Sequence, residues 1–117
     1  MESRQSLREC QRIVIKVGTS TITYDNGNMN LTRMEKLTRE LSDLHNEGRE
    51  ILLVTSGAVA AGVTRLGRRD YPKTLPLKQA MAAVGQGALL HLYDKFFAEY
   101  GKYIAQVLLT KDDFDER

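Results

Sequence analysis

Lys16 is followed closely by Gly18, Thr19 and Ser20, a segment here called the first loop. Together the lysine and the loop could bind an anion. A lysine near the end of an apolar run must be paired, reach solvent or serve a function, because burying an unpaired charge is costly. Backbone N–H groups of a glycine-bearing loop suit phosphate oxygens, and Lys16 would add a point charge. We therefore interpret these residues as a phosphate site. The alternative is a lysine that reaches solvent beside a plain turn.

Ser56, Gly57 and Ala58, here called the second loop, also follow an apolar run and lead into a helix-like stretch. The first N–H groups of a helix are free, and the helix dipole favours anions there. Gly57 lacks the side chain that would keep a carboxylate or phosphate away. Ligands of open α/β sheets bind beyond the carboxyl ends of the strands, so two such loops facing the same edge predict anion binding at both. The alternative is that Ser56 only caps the helix.

Two short apolar runs predict the strands that position these loops. Arg12 to Thr19 and Glu50 to Thr55 are continuously apolar rather than alternating, which is typical of strands covered on both faces. Between them a helix is predicted from apolar residues at helical spacing, namely Leu31, Met34, Leu37, Leu41 and Leu44. Thr32 and Glu35 have the spacing of a capping box, and Gly48 is placed to end the helix.

The pattern continues after the second strand. Ala58 to Leu66 is predicted as a helix and Gly67 to Pro76 as a basic loop. A long helix then ends near Gly101, and its apolar spacing is marked by Leu77, Met81, Val84, Ala88, Leu92 and Phe96. Tyr103 to Thr110 is predicted as a third strand, and Thr110 to Arg117 as the start of another helix.

Gly85 and Gly87 lie inside the long predicted helix, where each glycine costs about 1 kcal/mol relative to alanine. Together with Gln86 they resemble a nucleotide loop superficially, but the third glycine of such a loop is missing. We expect close packing against a neighbouring helix or a second subunit rather than ligand binding.

The alternation of strands and helices predicts an α/β fold with a mainly parallel sheet and helices on its faces. Residues 1–11 are polar and are expected to form a flexible N-terminal arm. Residues 12–117 supply about three strands, whereas ordinary sheets carry about five or six. We expect residues 12–117 to be the N-terminal portion of an incomplete domain.

Composition excludes several classes of protein. The 117 residues carry a formal charge of +2, too little for binding nucleic acid by charge alone. No apolar run reaches the roughly 18 to 20 residues of a membrane helix, and the N-terminus does not resemble a secretory signal. The single Cys10 gives no internal disulfide and suits a reducing cytosol. His45 and His91 lack partners at ligand spacing, so no protein metal site is predicted.

The sequence contains four motifs of a known family: Lys16 to Ser20, Val54 to Gly62, Lys78 to Gln86 and Val107 to Asp113. With these motifs it resembles the N-terminal part of the glutamate 5-kinase (gamma-glutamyl kinase) family, one group of the amino acid kinases. The resemblance runs from about Arg12 to the last residue. It is specific, because acetylglutamate and uridylate kinases usually carry a glycine pair in place of Ser-Gly-Ala after the second strand.

The resemblance implies a fold and an activity. The family has a three-layer α-β-α sandwich and uses ATP and Mg²⁺ to phosphorylate the γ-carboxylate of L-glutamate, the first step of proline synthesis. It implies that Lys16 is catalytic and holds the transferring phosphate, and that Gly18, Thr19 and Ser20 bind ATP phosphates. It further implies that the second loop binds glutamate. A cytoplasmic homo-oligomer that associates through the helix Leu77 to Gly101 is expected, with no nucleic-acid or membrane partner.

Family members continue past the position that matches Arg117, into a segment that completes the glutamate site and into the nucleotide-binding half. The resemblance therefore implies that these 117 residues alone are not a competent kinase. Three alternatives stay open from the sequence. The chain could be a non-catalytic binding or assembly module, a nucleotide-binding regulatory domain, or the front of a bifunctional pyrroline-carboxylate synthase.

Overall fold

The computed structural model describes residues 2–107 and 112–113 and contains the predicted order of strand, helix and strand. In these residues β1 (Arg12–Val17) and β2 (Glu50–Thr55) form a parallel sheet. The helices are α1 (Glu2–Glu9), α2 (Thr19–Ile22), α3 (Leu31–Asn46), α4 (Ala58–Arg65) and α5 (Leu75–Ala98). The predicted α/β class is confirmed.

One face of the sheet packs against α3 and α5. Side chains from the strands and helices form a common buried core, namely Val17, Ile22, Met34, Leu41, Ala61, Leu89, Tyr93 and Phe97. Ile15, Ile51 and Leu53 pack against this core from the sheet. Burying an aliphatic side chain contributes roughly 1.5–3 kcal/mol, so this face holds both strands and thereby fixes their carboxyl ends.

The opposite face of the sheet is open in the described part of the chain. Val14, Leu52 and Val54 alternate with the core residues and are 59%, 49% and 47% exposed. The expectation that both faces would be covered is therefore wrong for these residues. A run of mostly apolar residues indicates that a strand can be covered on both faces, but it does not show which helix covers which face. Here α4, the helix that follows β2, packs on α5 instead.

The predicted third strand does not form in the described residues. Tyr103 to Val107 has no regular secondary structure, and these two end residues are 99% and 70% exposed. A strand needs a neighbour that pairs with its backbone groups, and within the described residues β1 and β2 pair only with each other. The remainder of the predicted strand, up to Thr110, lies outside the described residues. The helix predicted after it is described at residues 112–113, which are helical.

Residues 2–9 form a helix rather than the expected loose arm. The guanidinium of Arg49 donates to the carbonyl oxygens of Leu7 and Arg8, at 3.2 and 2.6 Å. The last carbonyls of a helix have no partner within it, so Arg49 stabilises the end of α1. Composition favoured a flexible arm because the polar residues of this segment do not indicate that Arg49, which lies 41 residues after Arg8, contacts it.

The α3 helix is capped by Asn30 rather than by the predicted capping box of Thr32 and Glu35. The Asn30 side chain accepts a hydrogen bond from the N–H of Arg33 at 3.1 Å, and Asn30 is 7% exposed. A cap residue satisfies a free N–H of the first turn. Thr32 therefore lies inside the helix, one residue after its start at Leu31.

Asn30→Ala is expected to lower the free energy of unfolding by about 1 kcal/mol, because the Arg33 N–H loses its acceptor. Thr32→Ala is the matched control and should change this free energy by less than about 0.5 kcal/mol. Urea unfolding of the two variants and the wild type measures both effects. An equal or larger loss from Thr32→Ala would contradict the assigned cap.

The buried stripe of α5 differs from the predicted one. Its buried residues recur every four positions, at Met81, Gly85, Leu89, Tyr93 and Phe97. The residues after Met81 that the apolar spacing placed on the buried face are instead half-buried or exposed, namely Val84, Ala88, Leu92 and Phe96. Because α5 is apolar around much of its circumference, periodicity alone did not identify the face that α4 approaches. No helix among the described residues, α5 included, combines the length and apolar character needed to cross a membrane.

Candidate anion-binding site

Parallel pairing in register brings the first and second loops to one edge of the sheet. Val17 and Thr55, the last residues of the two strands, are register partners. The N–H of Ser56 then donates to the carbonyl oxygen of Val17 at 2.9 Å. The two loops therefore lie side by side, as the strand order predicts.

Lys16 lies one residue before the end of β1, on the open face of the sheet and opposite Val54 in the register. Its side chain is exposed and makes no ion pair with the described residues. A cation in this position is available to an anionic ligand. The exposed position fits the phosphate interpretation and the solvent alternative equally, so the adjacent backbone has to distinguish them.

The first loop leads into α2. Gly18 precedes the helix with extended backbone angles, φ −81° and ψ 164°, and Thr19 and Ser20 occupy the first turn, where N–H groups have no acceptor within a helix. A Cβ placed on Gly18 would meet no atom within 4 Å. Neither conformation nor packing in the described residues requires glycine at this position. Open space beside free N–H groups suits an oxygen-rich ligand.

Gly57 in the second loop is required by the fold. Its φ of 114° lies in the left-handed region, which glycine adopts without the usual steric cost. A Cβ there would lie 2.9 Å from Cδ1 of Ile22. Backbone conformation and packing against α2 therefore require this glycine, and close approach of a ligand stays a prediction. Because α2 starts in the first loop, the contact also couples the two loops.

Ser56 does not cap α4. The helix begins at Ala58 with Gly57 before it, and no side chain provides a cap hydrogen bond. Ser56 is exposed, and the hydrogen bond to Val17 uses its N–H rather than its hydroxyl. The capping alternative is therefore wrong, and the hydroxyl of Ser56 is available to another partner. The first N–H groups of α4 lie next to it, without acceptors inside the helix.

A cleft of about 460 Å³ opens beside the first loop. It is lined by Thr19 and Ser20, by the turn at residues 23–27, and by Ala60, Arg69 and Tyr71. Sequence analysis missed this cleft because its walls come from separate segments of the chain. Lys16 and the second loop are not among its lining residues.

Tyr93 and Thr55 adjoin the second loop and were also missed. Their hydroxyl oxygens are 2.8 Å apart, and the Thr55 hydroxyl donates to the Ser56 carbonyl oxygen at 3.0 Å. A threonine hydroxyl has one proton, so Tyr93 is the donor to Thr55. Burial raises the pKa of Tyr93 above its ordinary value of 10.0. A tyrosine in an apolar stripe is the signal that could have identified it, since a buried tyrosine needs a hydrogen-bond partner.

The raised pKa of Tyr93 predicts a loss of stability in alkali. The protonated phenol is favoured in the folded state, so its contribution is fully present below about pH 10 and is lost as the pH rises above that value. Tyr93→Phe should show a shallower fall in the free energy of unfolding between about pH 9 and pH 11 than the wild type. Denaturant unfolding at a series of pH values measures this difference. Parallel curves for the two proteins would contradict the prediction.

The described residues provide no protein ligand set for a metal. No group of three or more His, Cys, Asp or Glu side chains in this part of the chain is placed to hold an ion. His45 and His91 are both exposed and lie on different helices, α3 and α5. A divalent cation at this site would therefore need ligands supplied by a bound substrate or by other residues.

Comparison with known proteins gives one family and a set of similar relatives. A protein named glutamate 5-kinase from Moorella thermoacetica is 59% identical over 116 residues, which cover 99% of this chain and 31% of the relative. Another from Clostridium tetani is 57% identical over 110 residues, 94% of this chain and 41% of the relative. A third from Clostridium acetobutylicum is 47% identical over 118 residues, 100% of this chain and 44% of the relative.

The chain therefore spans less than half the length of these relatives. Nearly all of this chain matches the family, because the profile described as "Amino acid kinase family" matches residues 11–117. It includes both strands, both loops and helices α2 to α5. This chain belongs to the amino acid kinase family.

Proposed function

We propose that this chain forms the phosphate- and glutamate-binding side of a glutamate 5-kinase. The observation that supports this best is the adjacency of the two loops, joined by the Ser56 to Val17 hydrogen bond. The names of the relatives supply the substrate, since they are glutamate 5-kinases. A phosphoryl donor and its acceptor must be held side by side for in-line transfer, and two neighbouring anion-binding loops meet that need.

The reaction moves the γ-phosphoryl group of ATP to the γ-carboxylate of L-glutamate. The carboxylate is ionised at neutral pH, so its oxygen can attack phosphorus without a general base. As the bond between the carboxylate oxygen and the γ-phosphorus forms, the bond from the γ-phosphorus to the bridging oxygen of the β-phosphate breaks, and ADP leaves with that electron pair. In this proposal Lys16 stabilises the negative charge on the transferring oxygens, and the N–H groups of Gly18, Thr19 and Ser20 hold the phosphates.

The second loop binds glutamate in this proposal. The Ser56 hydroxyl is exposed and caps no helix, and the first N–H groups of α4 are donors suited to a carboxylate. Ala58 begins that helix, and the left-handed Gly57 turns the chain into it. The acceptor would thus lie beside the phosphates on the first loop.

The remaining parts of the proposal rest on the family resemblance. ATP would enter as its Mg²⁺ complex, and we assign no residue of this chain to the ion because the described residues contain no metal-binding cluster. The reaction would be the first step of proline synthesis, in the cytoplasm. Residues 12–117 would be part of a larger domain, so the 117 residues alone would be inactive. Homo-oligomer formation through Leu77 to Gly101 stays a prediction.

Trapping of the acyl phosphate with hydroxylamine tests the proposal. Hydroxamate formation is measured for the full-length kinase and for the 117-residue chain, with L-glutamate, L-aspartate and N-acetyl-L-glutamate as alternative acceptors. We expect ATP-dependent product from the full-length kinase with L-glutamate, and none from the chain alone. Preference for another acceptor would contradict the assigned substrate. A folded full-length protein without turnover on any acceptor would favour the non-catalytic module.

A further inference from the structure

We propose that one face of α5 positions the second loop, with Tyr93 and Gly85 as positioning residues. The inference rests on the proposed role of the second loop in binding glutamate. Gly85, Leu89 and Tyr93 recur every four positions on α5 and are buried. Each of them adjoins a different part of the segment from Thr55 to Ala58. This face of α5 therefore contacts the second loop and the residue before it.

Tyr93 acts on the loop through Thr55. The Tyr93 hydroxyl donates to Oγ1 of Thr55 at 2.8 Å, and that hydroxyl donates to the carbonyl oxygen of Ser56 at 3.0 Å. In a trans peptide the carbonyl oxygen and the following N–H point in opposite directions, and the peptides of the described residues, this one included, are all trans. Holding the Ser56 carbonyl toward Thr55 therefore directs the Gly57 N–H away from it. Two hydrogen bonds thus set the direction of a backbone donor in the second loop.

Gly85 sets the position of the first turn of α4. A Cβ on Gly85 would lie 2.7 Å from the carbonyl carbon of Ala58, and closer still to its oxygen and to the backbone nitrogen of Gly62 one turn later. Real side chains do not approach backbone so closely, so any larger residue would push the start of α4 away. The Ala58 carbonyl shares its peptide unit with the N–H of Val59, a free donor of the first turn. Displacing that peptide would therefore move a second donor.

Leu89 lies between these two positions and is 2% exposed. Its Cδ2 would be 3.9 Å from a Cβ placed on Gly57, so its side chain packs beside the second loop. This apolar contact excludes water from the side of the loop that faces α5. The partly buried hydrogen bond from Tyr93 to Thr55 is therefore shielded from solvent on that side.

The chain offers a matched control for each positioning residue. Gly87 is two residues beyond Gly85 on the same helix, but a Cβ there would meet nothing within 4 Å. Tyr100 is a second hydrogen-bonded tyrosine, and its hydroxyl donates to Glu35 on α3 rather than to a residue near the second loop. Gly87→Ala and Tyr100→Phe therefore reproduce the chemical changes without touching the loop.

The first measurement is the amide NMR spectrum of the chain and its variants. Tyr93→Phe removes one oxygen, and we expect it to shift the Gly57 amide resonance, whereas Tyr100→Phe leaves it in place. Gly85→Ala should shift the Val59 amide, whereas Gly87→Ala should not. Unchanged Gly57 and Val59 resonances in the two positioning variants would overturn the inference. If Gly85→Ala fails to fold, Tyr93→Phe and its control still decide the question.

The second measurement is steady-state kinetics of the full-length kinase. Tyr93→Phe should raise the KM for glutamate about five- to tenfold, the loss expected for one hydrogen bond of about 1 to 1.4 kcal/mol. The KM for ATP and kcat should stay within about twofold, as should every parameter of Tyr100→Phe. A fall in kcat of about five- to tenfold at an unchanged KM for glutamate would overturn the positioning role. Shifted amides in a protein that does not use glutamate would instead overturn the proposed function and leave the positioning inference supported.

Discussion

Replacing Lys16 by alanine is expected to lower kcat of the full-length kinase by about a hundred- to a thousandfold, the usual effect of removing one transition-state donor. The KM for glutamate should change by less than about threefold, because the lysine charge acts on the transferring phosphoryl group rather than on the acceptor. The expected effect on kcat rather than on the KM for glutamate follows from the position of Lys16 near the end of β1, beside the first loop. Initial rates at varied glutamate and saturating ATP measure it.

Lys36→Ala is the control for loss of a positive charge. Lys36 is an exposed lysine of α3, on a helix that carries no residue of either loop. Its replacement should leave both kcat and KM unchanged. If Lys16→Ala weakened glutamate binding strongly and left kcat untouched, the lysine would hold the acceptor instead, and the assigned role would be wrong.

Ser56→Ala is expected to raise the KM for glutamate by about ten- to a hundredfold, the range for a hydrogen bond to a charged group of about 1.5 to 3 kcal/mol. The change in kcat should be small, because the contact holds the substrate in the ground state and the transition state alike. Stability should not change, since the Ser56 side chain is exposed and caps no helix. Kinetics and thermal unfolding of the same variant test both statements.

Ser20→Ala in the first loop is the matched comparison for the serine of the second loop. Both serines are exposed and both lie shortly after a strand, Ser20 in the first turn of α2 and Ser56 directly after β2. We expect Ser20→Ala to raise the KM for ATP rather than that for glutamate. The reverse pattern for the two variants would mean that the two loops bind the opposite substrates.

The location of the two loops could be predicted from the sequence. Arg12 to Val17 and Glu50 to Thr55 are short, β-branched and apolar, and a glycine follows each run closely. Parallel strands end at the same edge of a sheet, so adjacency of the two loops followed from the order of elements. Local patterns of this kind depend on residues close in sequence, and they were sufficient for this part of the site.

The support of the second loop could not be predicted in the same way. Tyr93 reaches Thr55 across 38 residues of sequence, and Gly85 matters because α4 crosses α5 at that point. Periodicity in α5 favoured a neighbouring stripe, because apolar residues occupy several of its faces. The contact between Gly57 and Ile22 could not be predicted either, since it arises only when α2 folds against the second loop.

Sequence patterns also did not determine which segments pair in the sheet or which face of the sheet is covered by helices. Tyr103 to Val107 has the composition of a strand, but in the described residues its backbone has no neighbouring strand to pair with. Val14 and Leu52 are apolar and yet exposed. In both cases the outcome depends on which other element lies alongside, a property of the whole fold rather than of the segment.

The central claim, that the first loop binds phosphate and the second binds glutamate, is tested most directly by amide NMR of the full-length kinase. The protein is titrated with L-glutamate and, separately, with a non-hydrolysable ATP analogue. We predict that glutamate shifts the Gly57 and Ala58 resonances most, and that the analogue shifts those of Gly18 and Thr19 most. The opposite assignment, or binding of both ligands without a change at either loop, would contradict the account.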